Sequence, residues 1–224
     1  MKRTVLTVMV KAPLPGLVKT RLAATIGDAA ALAAYRAMAA TVLAAADASG
    51  LPVTVSYAPA GHLDRVAELC GPGRRYVAQA GGDLGARMAG ALAAAFADRA
   101  EAALLVGSDL PLLTADLLRQ AARELTASQA VLGPAEDGGY YLIGFTREGF
   151  CPEVFRDMPW STARVAEMSL ARLAAAGRSV ALLPRLADCD AAADLSRLAA
   201  PPFRERLAGT PFARFLTGRP ARKV

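Results

Sequence analysis

Hydrophobic and polar positions along the chain alternate between two periods. Thr4 to Val10 is a β-branched apolar run, the pattern of a buried first strand. A loop of punctuators and cations follows, Lys11 to Leu22. An Ala-rich helical stretch then runs from Asp28, a plausible N-cap, to about Ala48 and stops at Gly50. Further strands are predicted over 51–57, 75–79, 104–106, 130–132, 140–145 and 180–183, with 140–145 antiparallel at its end of the sheet. Helices are predicted over 63–69, from Gly85 to about Arg99, over 114–125, from a Ser161 or Thr162 cap to Ala176, and over 192–198. Strands alternating with helices indicate βαβ units and a largely parallel sheet. The expectation is one α/β domain over residues 1–200 and a basic tail over 201–224.

Composition narrows the class. Hydrophobic residues make up 54% of the chain, enough for a real core, and 21% charge excludes a disordered polymer. The Ala-rich stretches are broken by charges, so no membrane span is expected. The apolar run behind Met1-Lys2-Arg3 enters Lys11 and Pro13 and reads as a strand, not a leader. Cys70, Cys151 and Cys189 lack metal-ligand spacing and suggest reduced, buried thiols in a cytoplasm. The single histidine, His62, reads as a surface residue; alone it builds neither a catalytic triad nor a zinc site.

The net charge of +6 owes much to Arg204, Arg206, Arg214, Arg219, Arg222 and Lys223. With no RNA-binding aromatic signature and no helix-turn-helix, nucleic acid is not an expected partner, and the tail reads as a solvated end. Oligomeric state is not legible from the pattern.

The candidate chemistry centres on Leu104 to Phe145. Asp109 and Asp137 each lie where a strand gives out into a glycine-bearing loop, Gly107-Ser-Asp109-Leu-Pro111 and Gly133-Pro-Ala-Glu-Asp137-Gly-Gly-Tyr-Tyr141. Ligands of open α/β sheets bind outside the carboxyl ends of strands. Hard carboxylate oxygens there suit Mg²⁺ or Mn²⁺ carrying a phosphorylated substrate. Either aspartate alone is also a common helix cap or turn residue. Asp188 and Asp190 add a third acidic cluster; Asp190 either completes the metal site or caps the helix after it.

The first loop supplies the cations. Lys11, Lys19 and Arg21 follow a strand and precede a helix, with Gly16 letting the backbone turn, a place to neutralise nucleotide phosphates. Gly16-Leu-Val-Lys19-Thr20 mimics a P-loop, but Val18 and Pro13 stand where that motif needs glycine. Gln79 and Gly81 to Arg87, with Gly85 allowing close approach, are candidates for reading a base or ribose; the glycine of such a loop also simply starts helices. Trp160-Ser161-Thr162 is either an acceptor-side lid or a packing Trp before an N-cap.

These motifs stand in one order: Lys11-Ala12-Pro13-x-Pro-Gly16-x-x-Lys19-Thr-Arg21-Leu, Asp83-Leu-Gly85-x-Arg87-Met, Gly107-Ser-Asp109-x-Pro111, Gly133-Pro-Ala-x-Asp137-Gly138-Gly139-Tyr140-Tyr141 and Trp160-Ser161-Thr162. Together they resemble a bacterial GT-A-type glycosyltransferase-like family, known in places as arsenosugar-biosynthesis glycosyltransferases. That family is similar to phospholactate and molybdenum cofactor guanylyltransferases. The resemblance covers nearly the whole chain.

It implies a Rossmann-like nucleotide-diphospho-sugar transferase fold with the nucleotide held by Lys11, Ala12, Pro13, Gly16, Lys19, Arg21, Gln79, Gly85 and Arg87. It further implies that Asp109 holds the Mg²⁺ or Mn²⁺ and that Asp137 faces the acceptor. Lys19 and Asp137 are the candidates for catalytic roles. Asp137 would orient or deprotonate the acceptor in glycosyl transfer, or hold a second metal in nucleotidyl transfer. The acceptor side would be Gly138, Gly139, Tyr140, Trp160 and Ser161. The partners implied are a nucleotide sugar or an NTP plus a small-molecule acceptor. Glycosyl transfer from a nucleotide sugar is the leading expectation. Nucleotidyl transfer is the alternative, since the usual Asp-x-Asp of glycosyltransferases is replaced by Asp109-Leu110-Pro111. A non-catalytic nucleotide-binding module is the second alternative.

Overall fold

A computed structural model describes residues 2–218. The strands are β1 (Thr4–Lys11), β2 (Val53–Ala58), β3 (Arg75–Ala78), β4 (Ala102–Gly107), β5 (Ala130–Pro134), β6 (Tyr140–Thr146) and β7 (Val180–Leu182). The helices are α1 (Thr20–Ile26), α2 (Asp28–Ser49), α3 (Leu63–Cys70), α4 (Leu84–Ala97), α5 (Ala115–Glu124), α6 (Val165–Ala175), α7 (Ala192–Ala199), α8 (Phe203–Arg206) and α9 (Pro211–Leu216). The seven strands form one sheet in the order β3-β2-β1-β4-β6-β5-β7. Every pairing is parallel except those of β6, which runs against both β4 and β5. The expected antiparallel strand therefore lies inside the sheet, not at its end.

The period-2 pattern of the central strands builds a core on each face. Leu104 and Val106 of β4 join Leu6, Val8 and Met38 on the α2 side, whereas Leu105 joins Ile143, Phe145 and Leu92 on the α4 side. α2 has the length and hydropathy of a membrane span, and half of its most apolar window is buried inside this fold. Ala31, Ala34, Met38, Val42 and Ala46 pack into the first core, so burial within the fold accounts for that composition.

Four local expectations are corrected. α1 is a helix of its own within the supposed loop. Asp28 is the first residue of α2 rather than its cap, which is Gly27. α6 starts at Val165 without a side-chain cap, because the Thr162 hydroxyl donates to the Pro159 carbonyl. His62 is half-buried in a short 3-10 turn.

The stretch expected to be a solvated tail also packs. Leu207 and Phe212 are buried in the first core, and the Phe212 amide donates to Thr41 Oγ1 of α2 at 3.0 Å. Burying one such aromatic stabilises by about 1.5–3 kcal/mol. Arg204, Arg206 and Arg214 are exposed on these helices. Arg219, Arg222 and Lys223 lie outside the described residues. The thiols of Cys70, Cys151 and Cys189 are free and buried.

Candidate active site

The chain leaves β1 toward β2 and leaves β4 toward the β6-β5-β7 half, so the sheet's order reverses between β1 and β4. A crevice forms at such a switch point because the two connections part in opposite directions. Here it is a cavity of about 520 Å³, with Lys11 on one wall and Gly107, Ser108 and Asp109 on the other.

The loop after β1 ends in Lys19, whose backbone is left-handed (φ 48°, ψ 48°) at the start of α1. A non-glycine residue holds that conformation only where its surroundings over-determine it. In this position the ammonium lies 2.7 Å from Asp109 Oδ2 and 2.6 Å from Asp190 Oδ1, with the lysine side chain only 5% exposed. Burial pulls the lysine's pKa down, but the two carboxylates together push it well above its ordinary value. Burial likewise works to raise the Asp109 carboxyl, and the Lys19 charge overrides it and holds Asp109 below the usual carboxylate range. Two of the three ammonium donors are thus committed to protein acceptors.

A second recess of about 170 Å³ adjoins the first and shares Lys19, Asp109, Tyr140, Tyr141 and Asp190 with it. Its other walls carry Asp137 and Asp188. Asp137 sits in the β5–β6 turn, where its Oδ1 accepts the Gly139 amide at 2.8 Å. Asp188 and Asp190 arrive on the segment after β7, which pairs alongside the end of β5 through Leu186 and Pro134. Burial first, and then the nearby charges of Asp137, Asp190 and Asp194, raise the Asp188 pKa above its ordinary value. Arg197 of α7 offsets part of this field through Glu136 (2.5 Å) and Asp194 (3.5 Å), but stays 4.0 Å from Asp188.

The helix cap expected of Asp190 is made instead by Asp194, whose Oδ2 accepts the Asp190 and Ala191 amides. Among the described residues, no group of three or more His, Cys, Asp or Glu side chains forms a ready metal cage.

Most of the expected residues meet at this cleft. Lys11, Lys19, Arg21, Gln79, Arg87, Asp109, Tyr140 and Ser161 border the larger compartment, and Asp137 and Gly139 the smaller. Ala12, Pro13 and Gly16 shape the loop beneath Lys19 without lining either compartment. Gly85 is a correction: the close approach it permits is to the Phe155 carbonyl and the Trp160 ring, not to the cleft. Gly138 is likewise packed against the Ala163 backbone. Trp160 is a packing residue, edge-on to Tyr140 at 6.4 Å, and lines neither compartment.

Two contributors were missed. Tyr35, buried in the middle of α2, lines the larger compartment and bonds to Lys11 and Ser108. A lone aromatic in an Ala-rich helix carried no signal of that role. Ser108 was visible only as the residue before Asp109.

The family profile described as an uncharacterized protein conserved in bacteria (DUF2064) matches residues 41–162, more than half of the chain. The chain belongs to this family. A crystal structure from Desulfovibrio desulfuricans G20, provisionally named a nucleotide-diphospho-sugar transferase, is 32% identical to this DUF2064 chain. The match covers 97% of this chain and 95% of that one, with a TM-score of 0.89.

Rv0371c from Mycobacterium tuberculosis H37Rv, solved in complex with manganese, is 19% identical with a TM-score of 0.53, over 88% of this chain and 98% of that one. A CMP:2-keto-3-deoxy-manno-octonic acid synthetase complexed with CTP is 12% identical with a TM-score of 0.54, over 88% of this chain and 96% of that one. The last two likenesses bear on the fold alone. The nucleotide-diphospho-sugar transferase architecture expected of the sequence is therefore the one present. No curated protein matches the chain.

Proposed function

We propose that this DUF2064 protein is a transferase that takes a nucleotide sugar as donor. The nucleotide phosphates would lie in the larger compartment and a small-molecule acceptor in the acidic recess. One observation carries the reading: two compartments of opposite charge meet at the Lys19–Asp109–Asp190 cluster, on the switch point of the sheet. Lys11, Arg21 and Arg87 border the larger compartment and supply cations for phosphate oxygens. Asp137, at the mouth of the recess, would orient an acceptor hydroxyl or accept its proton. The likeness to the Desulfovibrio protein over nearly the full length of both chains supports a sugar-nucleotide donor. The resemblance to arsenosugar-biosynthesis glycosyltransferases belongs to the same proposal.

The donor atoms of the recess fit Mg²⁺ or Mn²⁺, since Asp109, Asp137 and Asp188 offer hard carboxylate oxygens and Asp188 carries excess negative field. Mg²⁺ is ordinarily held by one or two carboxylates and completed by substrate phosphates, which agrees with a site that is not a closed cage. A bound divalent ion would supply charge stabilisation for the departing nucleoside diphosphate. The chain's own part is to orient: Lys19 fixes Asp109 and Asp190 in place, and the Asp137 carboxylate is fixed by the Gly139 amide.

A second reading, nucleotidyl transfer from an NTP to a phosphorylated acceptor, is favoured by one feature. The carboxylate at the end of β4 stands alone in Asp109-Leu110-Pro111, with Leu110 buried beneath it. A thermal-shift panel of nucleoside triphosphates and nucleotide sugars, with and without Mn²⁺, tests both, because binding to the folded state raises the melting temperature. Metal-dependent stabilisation by a nucleotide sugar above its parent triphosphate supports glycosyl transfer. The opposite preference supports nucleotidyl transfer, and no shift with any nucleotide refutes both.

A further inference from the structure

The ladder between β1 and β4 ends at Met9 and Gly107, while β1 itself continues to Lys11. Along a strand, backbone donors and acceptors face alternate sides. Ala12 donates to the Ala58 carbonyl on the β2 side at 2.7 Å, so the N–H and C=O of Lys11 face the side that β4 has already left. Buried backbone groups of this kind must find partners. Tyr35 of α2 provides them. Its hydroxyl accepts the Lys11 N–H at 2.9 Å and donates to the Lys11 C=O at 2.9 Å. The same oxygen lies 2.9 Å from Ser108 Oγ, and with its one hydrogen on Lys11 it accepts from the serine.

The hydroxyl is therefore saturated, and both of its partners flank the crevice: Lys11 on the phosphate side and Ser108 next to Asp109. Phenylalanine would fill the same space in the core, so packing does not explain the oxygen. Tyr35 is 3% exposed, yet it is part of the cavity wall.

We propose that Tyr35 is a positioning residue whose hydroxyl takes over from the β1–β4 ladder where the strands part. It thereby fixes the spacing between the Lys11 loop and the Asp109 loop that a bound nucleotide spans. The proposal rests on the nucleotide reading above.

The test measures affinity and stability separately. The tightest-binding probe among GTP, CTP and UDP-glucose, in the presence of Mn²⁺, is titrated calorimetrically into wild type, Tyr35→Phe and Thr41→Val. Thr41→Val removes the acceptor of the Phe212 amide on the same helix and stands away from the cleft. Tyr35→Phe is expected to weaken binding by about tenfold, whereas Thr41→Val lowers the melting temperature and changes affinity by less than about twofold. A Tyr35→Phe protein that binds as wild type does, with only a lower melting temperature, overturns the proposal. If Tyr35→Phe does not fold, Ser108→Ala replaces it, with an expected loss of about threefold; unchanged affinity there also overturns it. Failure of all three probes to bind wild type instead overturns the nucleotide reading itself.

Discussion

The two compartments of the cleft are built on opposite principles, although they share a wall. The larger is bordered by Lys11, Arg21 and Arg87 and floored by apolar residues such as Met9 and Leu105. These three cations are carried on long side chains. The smaller gathers Asp109, Asp137, Asp188 and Asp190, short side chains brought together from three loops. Of the cations, Lys19 belongs to both, and it is spent on Asp109 and Asp190. Asp188 keeps a pKa raised by burial and by three neighbouring carboxylates. Under the proposed reading, the repulsion left at Asp188 is what a bound cation or proton would relieve.

The contrast breaks most directly at Asp109. Asp109→Asn keeps an acceptor for Lys19 and nearly the same volume, so the fold should survive. The proposed transferase activity should fall by about a hundredfold or more, as expected when a charge that holds or orients the reacting groups is lost. Turnover of the best-bound donor, measured beside the circular dichroism spectrum of the variant, checks this. Full activity in a folded Asp109→Asn protein would remove Asp109 from the chemistry.

Lys19 tests the hinge between the compartments. Lys19→Met leaves Asp109 and Asp190 facing each other without their cation. Breaking a buried pair costs about 3–5 kcal/mol, and since both carboxylates are partly solvated (44% and 40% exposed) about 2 kcal/mol is expected. The pH dependence has a definite sign. Asp109 has a lowered folded-state pKa, so its share of the stability is present above the unfolded carboxylate pKa and is lost as pH falls through the folded one. Lys19 has a raised pKa, so its share is lost only as pH rises beyond that of an unfolded lysine, through its folded value. The stability gap between wild type and Lys19→Met, followed by urea denaturation, should hold through neutral pH and close in strong acid.

Gly85 sharpens the boundary of the larger compartment. A methyl at this position would meet the Phe155 carbonyl and the Trp160 ring. Overpacking outweighs the helix propensity gained, and Gly85→Ala should destabilise by about 1–2 kcal/mol. Because the collision is with the protein's own backbone, nucleotide affinity should stay within about twofold of wild type. A large affinity loss at unchanged stability would put Gly85 back at the ligand.

What could be read in advance follows the range of the interactions. The central strands and α2 through α5 were legible because β-branched runs, alanine-rich periods and glycine stops are local signals. The place of β6 between β4 and β5 was not, since strand order is decided by pairings such as Leu105 with Ile143, far apart in the chain. α1 was hidden by the prolines before it and by a lysine in a left-handed conformation that its residue type does not announce. In the C-terminal stretch the dense arginines mask the apolar positions Leu207, Phe212 and Phe215, whose packing partners lie in the distant first core, so a packed segment has the composition of a tail. At the site, Asp109, Asp137 and Lys19 stood out as chemistry at strand ends. The pairing of Lys19 with Asp190, across 171 positions, and the hydroxyl of Tyr35 are products of the folded state alone.

The smallest expected effect discriminates best between a structural and a functional recess. Asp188 is held by burial and by Asp137, Asp190 and Asp194 at a pKa above its unfolded value, so its ionised form opposes folding. That penalty is absent below the unfolded carboxylate pKa and complete once pH has risen above the folded one. Asp188→Asn removes it and should therefore stabilise the protein at neutral pH by something under about 1 kcal/mol, with the gain vanishing in acid. If the recess serves only to hold the segment after β7, Asp188→Asn would be a harmless improvement. If the retained repulsion serves a cation or an acceptor, the stabilised variant should bind Mn²⁺ less well in the presence of nucleotide. A higher melting temperature together with weaker Mn²⁺ binding would mark Asp188 as part of the site; a higher melting temperature with unaltered binding would confine it to the scaffold.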